Sequence, residues 1–438
     1  MNAREVTLST LLKTVQSRGY SNIELDSAIK KYSLEGAERG LFTALFYGVI
    51  ERKITLDYII SALSDRAMES IDIKVLTILE MGIYQLKFMD KIPESAAVNE
   101  SVKLCEKFYA PKNSGAFVNA LLRNYIRKKD GIPYPDRNND YAKYLSVTYS
   151  VPEWICSLWI KERGNECEKM LEEFSAPPFM TLRVNTAKIS VDEFLSKLGE
   201  LGIKAYRGRI SPSSVRLGAS VPLSSLGSLA GLYFVQDEAS QAAVAALGVK
   251  EGDTVIDCCA CPGGKSFGAA TDMNGKGKVL SFDLHKSKLS LIEKTAAALG
   301  ISIIETAVQN GAQKRENMPL ADKIICDVPC SCLGVISKKP DIRYKAPDDI
   351  KDLPALQAKI LENNASYLKA GGDMVYSTCT VNKRENEDVV NAFLKKHGEF
   401  SLCPFETGEL RSMGMIQILP HHFKTDGFFI AKLHKNQG

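Results

Sequence analysis

The stretch "DTVIDCCACPGGKS" (residues 253–266) decides the fold of the second half of the chain. A short apolar run ends at Asp257, and Gly263 and Gly264 then let the backbone turn closely before a helical pattern begins. Similar short apolar runs follow at 278–285, 302–308, 322–329 and 372–379. Because helical patterns separate these runs, the sequence predicts a parallel sheet with helices on both faces, a doubly wound α/β fold.

In such a sheet, ligands bind beyond the carboxyl ends of the strands. Asp283 ends the second run, 20 residues after Gly263, where a carboxylate can accept hydrogen bonds from ribose hydroxyls. The tail "GGKS" resembles a P-loop, but Cys259 stands where that loop needs glycine, and no G-x-G-x-x-G is present. We therefore expect a nucleoside ligand without a pyrophosphate, such as S-adenosylmethionine.

Two thiols follow the fourth and fifth runs. "DVPCSCLG" (327–334) places Asp327 and Cys330 after the fourth run, and "VYSTCT" (375–380) places Cys379 after the fifth. We expect both strands to be central neighbours of the first, which would bring the two sulfurs near the cofactor's methyl group. A thiolate that adds to carbon 6 of cytosine makes carbon 5 nucleophilic, and a nearby carboxyl group can orient the base. Since methylation of an exocyclic nitrogen needs no thiol, the pair indicates methylation of a ring carbon.

Two other interpretations of these cysteines remain open. Cysteines at strand ends are often small buried hydrophobic residues without chemistry. A zinc site is the second alternative, built from four thiols: Cys258, Cys261, Cys330 and Cys332. The five histidines show no metal-ligand spacing tied to a carboxylate, and we assign no metal.

The length of 438 residues predicts two or three domains. We predict an all-α domain over residues 1–135, a small α+β module over 142–232, and the doubly wound domain over 233–438. In the first region, "DIKVLTILEMGIYQLKFM" carries an apolar stripe at helical spacing: Val75, Ile78, Leu79, Ile83 and Leu86. In the second, Ser190 and Glu193 have the spacing of a helix capping box.

Basic residues cluster in both N-terminal regions, while the whole chain has a formal charge of only +4. One helical pattern ends in cations, with Tyr125 among them: Arg123, Arg127, Lys128 and Lys129. They suit either a helix dipole or an RNA phosphate. The α+β module carries a second set: Arg183, Lys204, Arg207, Arg209 and Arg216. These residues form either a solvated face or an RNA contact.

The cysteine pattern and the apolar runs predict the compartment. Eleven cysteines without a repeating spacing argue against a disulfide framework and favour a reducing cytoplasm. The longest apolar run, Leu41 to Ile50, is too short to cross a bilayer. The N-terminus "MNAREVTLST" lacks a secretory signal. We expect a cytoplasmic protein with no membrane partner.

Several motifs together resemble the RNA cytosine-C5 methyltransferase family that has two motif cysteines. They are "DCCACPGGKS", "DVPCSCLGVISKKPDIRY", "YSTCTVNKRENE" and the closing "DGFFIAKL". Upstream, "EMGIYQLKFMDKIPESAAVNESVKL" and "GAFVNALLRN" resemble the NusB-like helical domain fused to the bacterial 16S rRNA enzymes of this family, the RsmB/Sun/Fmu group. The resemblance covers nearly the whole chain. It implies a NusB-like RNA-binding domain, an RNA-binding α+β module and a Rossmann-like methyltransferase domain.

The resemblance also implies roles for particular residues. Cys379 would be the nucleophile that bonds carbon 6, Cys330 the thiol needed for product release, Asp327 a base contact, and Lys265 a neighbour in the active site. Contacts to S-adenosylmethionine are implied for a longer set: Cys259, Ala260, Cys261, Pro262, Gly263, Gly264, Lys265, Asp283, Asn310 and Asp327. Asn310 stands where the family usually has Asp, and its amide can still bond adenine.

The expected function is S-adenosylmethionine-dependent methylation of carbon 5 of one cytosine in 16S rRNA. The substrate would be naked or partly assembled small-subunit rRNA, and no DNA partner is expected. Two alternatives remain. One is the same chemistry on 23S rRNA or tRNA, and the other is a non-catalytic RNA-binding or antitermination protein.

Overall fold

The structure is a computed structural model that describes residues 1–17, 21–218 and 221–437. It divides into two compact units. The first contains the described residues of Met1–Leu171 together with Lys339–Tyr344, and the second contains Glu172–Lys338 and the described residues from Lys345 onward. This division into two units does not test the predicted domain boundaries at residues 135, 142 and 232, which stay predictions.

The first unit is helical, as the sequence predicts for residues 1–135. Its α-helices are α1 (Ala3–Ser17), α2 (Ser21–Tyr32), α3 (Gly36–Leu63), α4 (Ile73–Phe88), α5 (Glu94–Lys107), α6 (Ser114–Lys128), α7 (Tyr141–Tyr149) and α8 (Glu153–Arg163). A further helix, α9 (Glu166–Ser175), begins there. Short 3-10 turns lie at Met68–Ser70, Lys129–Gly131 and Pro340–Tyr344.

One hydrophobic core joins α1 to α6. The predicted stripe of α4 is confirmed, because Val75, Ile78, Leu79 and Ile83 are buried in that core and Leu86 packs against it half-buried. An acid also lies in α4: Glu80 is buried and pairs with Lys53 of α3. Burial raises the pKa of Glu80 and the positive charge of Lys53 lowers it. Burial has the larger effect, so the pKa of Glu80 is about 8.

The cation cluster at the end of α6 lies on the surface, but its aromatic residue does not. Arg127, Lys128 and Lys129 are exposed, and Lys129 pairs with Glu94. Tyr125 is only 3% exposed and belongs to the core. Tyr125 is therefore interleaved with the cations in sequence only, and its ring takes no part in an exposed phosphate contact. Its position on α6 turns the ring inward, while the cations of the last turn face solvent.

The tail of the motif "DVPCSCLGVISKKPDIRY" is part of the helical unit. Arg343 is 1% exposed and donates to the backbone oxygens of Tyr149 (3.0 Å) and Ser150 (2.9 Å). Asp341 accepts a hydrogen bond of 2.7 Å from the hydroxyl of Ser21. These contacts anchor Pro340–Tyr344 among the helices.

The α+β module of the second unit has a four-stranded antiparallel sheet. Its elements are β1 (Thr181–Val184), α10 (Val191–Glu200), β2 (Ala205–Arg207), β3 (Ser214–Leu217) and β4 (Tyr233–Val235), and the strand order is β2-β3-β1-β4. The sequence predicts strands in the segments "FMTLRVNT", "IKAYRGRI", "SSVRLG" and "GLYFVQD", and these segments contain the four strands. The predicted capping box is confirmed, since Ser190 and Glu193 exchange side-chain-to-backbone hydrogen bonds.

Two arginines of this module are structural. Arg183 is 1% exposed and donates to Asp272 (2.7 Å), and Arg216 is 8% exposed and donates from Nε to Glu238 (2.7 Å). Neither lies on a solvated face or is accessible to RNA, so both expectations for them are wrong. Lys204, Arg207 and Arg209 are exposed; Arg207 pairs with Asp192, and Arg209 with Glu409.

The doubly wound domain follows the predicted alternation. Its elements are α11 (Glu238–Leu247), β5 (Thr254–Asp257), α12 (Gly264–Asp272), β6 (Lys278–Asp283), α13 (Lys286–Leu299), β7 (Ile304–Val308), β8 (Ala321–Asp327), α14 (Leu353–Ala365), β9 (Leu368–Thr378), α15 (Glu387–Lys396), β10 (Phe400–Leu402), β11 (Phe405–Thr407), β12 (Leu410–Ser412), β13 (Met415–Ile418), α16 (Pro420–Phe423) and β14 (Phe428–Lys435). The eight-stranded sheet runs β10-β14-β9-β8-β5-β6-β7, with β13 beside β14.

Alternate residues of the central strands enter two different cores. Ile256 packs with Leu361 of α14 and Phe393 of α15 on one face. Val255, its neighbour, packs with Ala243 of α11 and Ala269 of α12 on the other. The predicted fold class is confirmed: a multidomain chain with a helical bundle, a small α+β module and a doubly wound α/β domain. No helix in the described ranges has the length and apolarity to cross a bilayer.

The strand order corrects one expectation about the sheet. The fourth strand, β8, pairs in parallel with the first, β5, but the fifth, β9, pairs with β8 and not with β5. On its other side β9 is covered by the antiparallel strand β14. The carboxyl ends of β8 and β9 are nevertheless adjacent, with Asp327 in register with Ser377.

We predict that Arg216→Met destabilises the second unit by about 3 kcal/mol, because it leaves the carboxylate of Glu238, which is 0% exposed, without its cation. Arg209→Met is the matched control from the same module. Its partner Glu409 is exposed, so the expected loss is at most about 1 kcal/mol. Urea denaturation followed by circular dichroism measures both values, and equal losses would contradict this account of Arg216.

Candidate active site

A buried hydrogen-bond chain supports the glycine loop from below. Asp257 ends β5 and accepts a hydrogen bond of 2.7 Å from Ser266 Oγ, which in turn accepts one of 2.8 Å from Ser281 Oγ. The chain therefore links β5, the first turn of α12 and β6. Oδ1 of Asp257 is buried without a partner among the described residues. Burial raises the pKa of Asp257 to about 7; the hydrogen bond from Ser266 opposes this rise and the charge of Asp327 adds to it.

The glycine turn lies at the carboxyl end of β5. Gly263 has φ +109°, and a Cβ there would overlap the ring of Phe267. A Cβ on Gly264 would come within 3.1 Å of Gln236 Nε2. At Gly263 and Gly264 no side chain covers the backbone at this edge of the sheet, and the N-terminus of α12 follows. Such a turn lets a ligand approach the backbone closely.

Asp283 and Asn310 continue along the same edge of the sheet. Asp283 ends β6, and its Oδ1 accepts from the backbone N–H of His285 at 3.0 Å. Asn310 lies two residues beyond β7, and its Oδ1 accepts from Ala312 N at 3.0 Å. A backbone hydrogen bond from Gln309 to Asp283 O joins the two loops. Oδ2 of Asp283 has no hydrogen bond within the described ranges, so the residue fits the acceptor that ribose hydroxyls need.

Lys265 and Asp327 form an ion pair over the central strands. Lys265 is 7% exposed, and its Nζ lies 2.6 Å from Asp327 Oδ2 and 2.9 Å from Ser240 Oγ. The other oxygen of Asp327, Oδ1, accepts from Ser377 Oγ at 2.7 Å. The carboxylate of Asp327 therefore lies between the glycine loop and β9. The positive charge of Lys265 compensates its negative charge at this half-buried position.

The two predicted catalytic thiols meet at this edge. Cys330 Sγ lies 3.3 Å from Cys379 Sγ, and Cys332 Sγ lies within 4.8 Å of both. Hydrogen bonds that the Cys330 thiol makes with Cys332 and Cys379, together with burial, raise the pKa of Cys330 well above its usual range. The pKa of Cys379 is also raised: the hydrogen bond from Cys330 lowers it, but Cys332 and burial outweigh that effect. Both residues are therefore thiols at neutral pH.

A buried acid, Glu385, holds the turn of residues 329–332, which we call the thiol loop. Glu385 was not among the site residues predicted from the sequence. Glu385 is 0% exposed and accepts from the backbone N–H of Ser331 at 2.8 Å and from Gln357 Nε2 at 2.9 Å. Gln357 also donates to Pro329 O at 2.9 Å. The hydroxyls of Ser331 and Thr380 lie 2.8 Å apart. The only sequence signal for Glu385 was its place inside the motif "YSTCTVNKRENE".

The alternative four-thiol zinc site is not assembled. Cys258 Sγ lies 3.5 Å from Cys326, and Cys261 Sγ contacts Lys288 O at 3.8 Å. In the described parts of the chain, the thiols that converge are Cys330, Cys332 and Cys379. Cys258 and Cys261 point instead into the sheet core and toward α13, because the loop that carries them turns at Gly263.

The comparisons with known proteins agree along the whole chain. Residues 244–434 match the family described as 16S rRNA methyltransferase RsmB/F, residues 1–127 match the NusB family, and residues 151–224 match an RsmF/B-like ferredoxin-like domain. A Bacillus subtilis protein called probable ribosomal RNA small subunit methyltransferase B is 37% identical, over 99% of each chain. The chain belongs to the RsmB/F methyltransferase family.

A second curated relative and a solved structure are also similar to the chain over nearly its whole length. An Escherichia coli O1:K1 protein called ribosomal RNA small subunit methyltransferase B is 32% identical, over 99% of each chain. The crystal structure of the protein PH0851 is 27% identical and covers 99% of this chain and 98% of its own, with a TM-score of 0.80. The resemblance read from the motifs is confirmed, and the protein is an S-adenosylmethionine-dependent rRNA methyltransferase.

We predict that Asp257→Asn stabilises the protein more at pH 8 than at pH 5. The pKa of Asp257 is raised to about 7 in the folded state. The folded protein thus holds a proton that the unfolded chain releases near pH 4, and stability falls as the pH rises from about 4 to 7. A rise of about three pKa units corresponds to about 4 kcal/mol at pH 8.

Urea denaturation of both proteins at pH 5 and pH 8 tests this expectation. Asn keeps an oxygen for the hydrogen bond from Ser266 and carries no charge, so the comparison isolates the cost of ionisation. Asp253→Asn, at a half-buried position before β5, is the matched control and should show no such pH-dependent gain. A constant difference between wild type and Asp257→Asn at the two pH values would contradict the account.

Proposed function

We propose that the protein methylates carbon 5 of a cytosine in 16S rRNA through a covalent bond between Cys379 and carbon 6 of the base. The observation that carries the proposal is the 3.3 Å separation of Cys330 and Cys379 beside the Lys265–Asp327 ion pair. A thiol pair next to an acid is the set of groups that nucleophilic activation of a pyrimidine ring needs. Methylation of an exocyclic nitrogen would use neither sulfur.

Cys379 is the proposed nucleophile. Its thiolate adds to carbon 6, and the electron pair of the 5,6 double bond becomes available at carbon 5. Because the pKa of Cys379 is raised, its proton must pass to solvent water before the attack. Cys330, 3.3 Å away, is placed to donate a hydrogen bond to the resulting thiolate. The hydrogen bond lowers the pKa of Cys379 and so favours ionisation of that sulfur.

Asp327 is the proposed base contact. A carboxyl group near N3 and the exocyclic amine orients cytosine and helps neutralise the charge that develops in the ring. Lys265 and Ser377 hold both oxygens of Asp327 in place, which fixes the carboxyl group before the base arrives. Preorganisation of this kind lowers the cost of reaching the transition state.

Bound S-adenosylmethionine supplies an electrophilic methyl group carried on a sulfonium. The loop residues Cys259–Gly264 and Lys265 would lie against it, and Asp283 would accept from the ribose hydroxyls. Asn310 would contact the adenine through its amide, and Asp327 lies at the same edge. The open Oδ2 of Asp283 and the bare backbone at Gly263 fit a nucleoside without pyrophosphate.

Product release is the proposed task of Cys330. After carbon 5 has gained the methyl group, its proton must leave and the Cys379–carbon 6 bond must break, which returns the electron pair to Cys379. Cys330 lies beside the sulfur that must depart. A water held at this position can receive the proton from carbon 5, while the Cys330 thiol donates a hydrogen bond to the departing sulfur.

The substrate assignment rests on the family. The matched family and the two curated relatives are described as acting on the RNA of the small ribosomal subunit. We propose naked or partly assembled 16S rRNA as the substrate. A NusB-like domain over 1–135 and the α+β module over 142–232 would grip the RNA, and the domain over 233–438 would receive an unstacked base. The exposed cations Arg127, Lys128 and Lys129 are candidate phosphate contacts.

We predict that Cys379→Ala abolishes methyl transfer, whereas Cys330→Ala accumulates a covalent protein–RNA adduct. Loss of the nucleophile prevents the first bond, and loss of the releasing thiol leaves that bond unbroken. The assay combines tritium transfer from labelled S-adenosylmethionine to 16S rRNA with denaturing electrophoresis, in which the adduct migrates as a slower band.

Cys403→Ser, at a half-buried thiol elsewhere in the second unit, is the matched control and should keep wild-type activity. An adduct that accumulates in Cys379→Ala instead of Cys330→Ala would reverse the two roles. Full methylation by Cys379→Ala would contradict the covalent mechanism.

We predict that Asp283→Ala weakens S-adenosylmethionine binding by about 10- to 100-fold, since it removes the acceptor for the ribose hydroxyls. Glu305→Ala is the control, because Glu305 is an exposed acid on β7 that pairs with Lys278. Isothermal titration calorimetry with the full chain measures both affinities. Unchanged affinity in Asp283→Ala would remove this residue from the cofactor site.

A further inference from the structure

The thiol cluster at the active site contains one more sulfur than the methylation chemistry uses. The Sγ atoms of Cys330, Cys332 and Cys379 all lie within 4.8 Å of one another. All three residues are half-buried. Two of these thiols have proposed roles in catalysis, and Cys332 has none.

The backbone at Cys332 is unfavourable for a residue with a side chain. Its φ is +62°, in the left-handed region that glycine adopts freely and that costs other residues about 1–2 kcal/mol. Its Sγ lies 3.5 Å from Cys330 O, which keeps the third sulfur over the same turn as the first. Strain of this kind at a functional site is a reason to look for a role of the side chain.

The sulfur spacing suits a metal ion. A tetrahedral zinc site with bonds of about 2.3 Å to sulfur places its thiolates about 3.8 Å apart. The observed separations, from 3.3 Å between Cys330 and Cys379 up to at most 4.8 Å, bracket that value. Three sulfurs without an imidazole or a carboxylate in the set select soft cations over Mg²⁺ or Ca²⁺. The fourth position of the ion would take water.

We propose that Cys330, Cys332 and Cys379 bind one thiophilic divalent cation of the Zn²⁺ class through three thiolates, and that the ion-bound protein is unable to methylate RNA. Binding forms three metal–sulfur bonds and releases the three thiol protons to solvent. The blocking effect rests on the proposed role of Cys379 as nucleophile, whereas the binding itself does not. The ion would thus silence the enzyme reversibly.

Titration with Cd²⁺, read by its thiolate charge-transfer absorption in the ultraviolet, tests the binding. We expect wild type to bind one equivalent tightly. Cys332→Gly, which suits the positive φ, and Cys332→Ser, which keeps the side-chain volume, should each bind at least about tenfold more weakly and lose about one third of the absorption per ion. Cys403→Ser should behave as wild type. If both Cys332 variants bind Cd²⁺ as wild type does, the three-thiol site is wrong.

A second measurement does not depend on any variant. In wild type, one equivalent of Zn²⁺ should protect Cys330, Cys332 and Cys379 together from alkylation by iodoacetamide, as read by mass spectrometry of the peptides. Protection of Cys330 and Cys379 without Cys332 would overturn the proposal.

The methylation assay separates the two parts of the proposal. Zn²⁺ at one equivalent should abolish methyl transfer by wild type, and a chelator should restore it; Cys332→Gly should need at least about tenfold more Zn²⁺ for the same loss. Three-thiolate binding without loss of methylation would overturn the blocking effect and the role of Cys379, while the metal site would stand. Equal Zn²⁺ sensitivity in wild type and Cys332→Gly would overturn the blocking by this site.

Discussion

The parallel pairing of β8 between β5 and β9 is the constraint on which the site depends. It puts Asp327 in register with Ser377, so the two strands end level with each other. The turns that follow them then carry Cys330 and Cys379 to within 3.3 Å. On the other side of β8, β5 ends at Asp257 and leads into the loop that carries Lys265 to Asp327. A shift of β8 by two residues would separate all three contacts, because each strand residue advances about 3.3 Å.

Most of this edge was predictable because its determinants are local in sequence. Alternating apolar runs and helical patterns predict the doubly wound sheet, and strand ends mark Asp257, Asp283 and Asp327. Which strands pair with each other was harder to predict, because β5 and β9, the two neighbours of β8, have the same apolar pattern. We therefore placed the fifth strand beside the first, whereas β9 pairs with β8 and with the antiparallel β14. Long-range pairing depends on contacts that no single segment encodes.

Side-chain burial was the other limit of the sequence. Arg183 and Arg216 read as surface cations because arginine is seldom buried, yet each is enclosed with an acid more than 20 residues away along the chain, Asp272 and Glu238. Glu385 was missed for a related reason: a charged residue inside "KRENE" reads as solvated, whereas it is buried and holds the thiol loop. In each case a distant partner decides where the charge lies, and only the folded chain brings the partner near.

The same edge collects features that lower stability. Asp257 is buried with one unpaired oxygen, Lys265 is 7% exposed, and Cys332 has a left-handed backbone. Apolar replacements at such positions commonly leave a fold as stable or more stable, so packing alone does not account for these groups. They are concentrated where the strands end and the cofactor and base are proposed to bind. Residues that lower stability are expected to cluster at one edge of a sheet where ligand binding and catalysis require their side chains. The features that cost stability and those that carry the proposed chemistry therefore belong to one site.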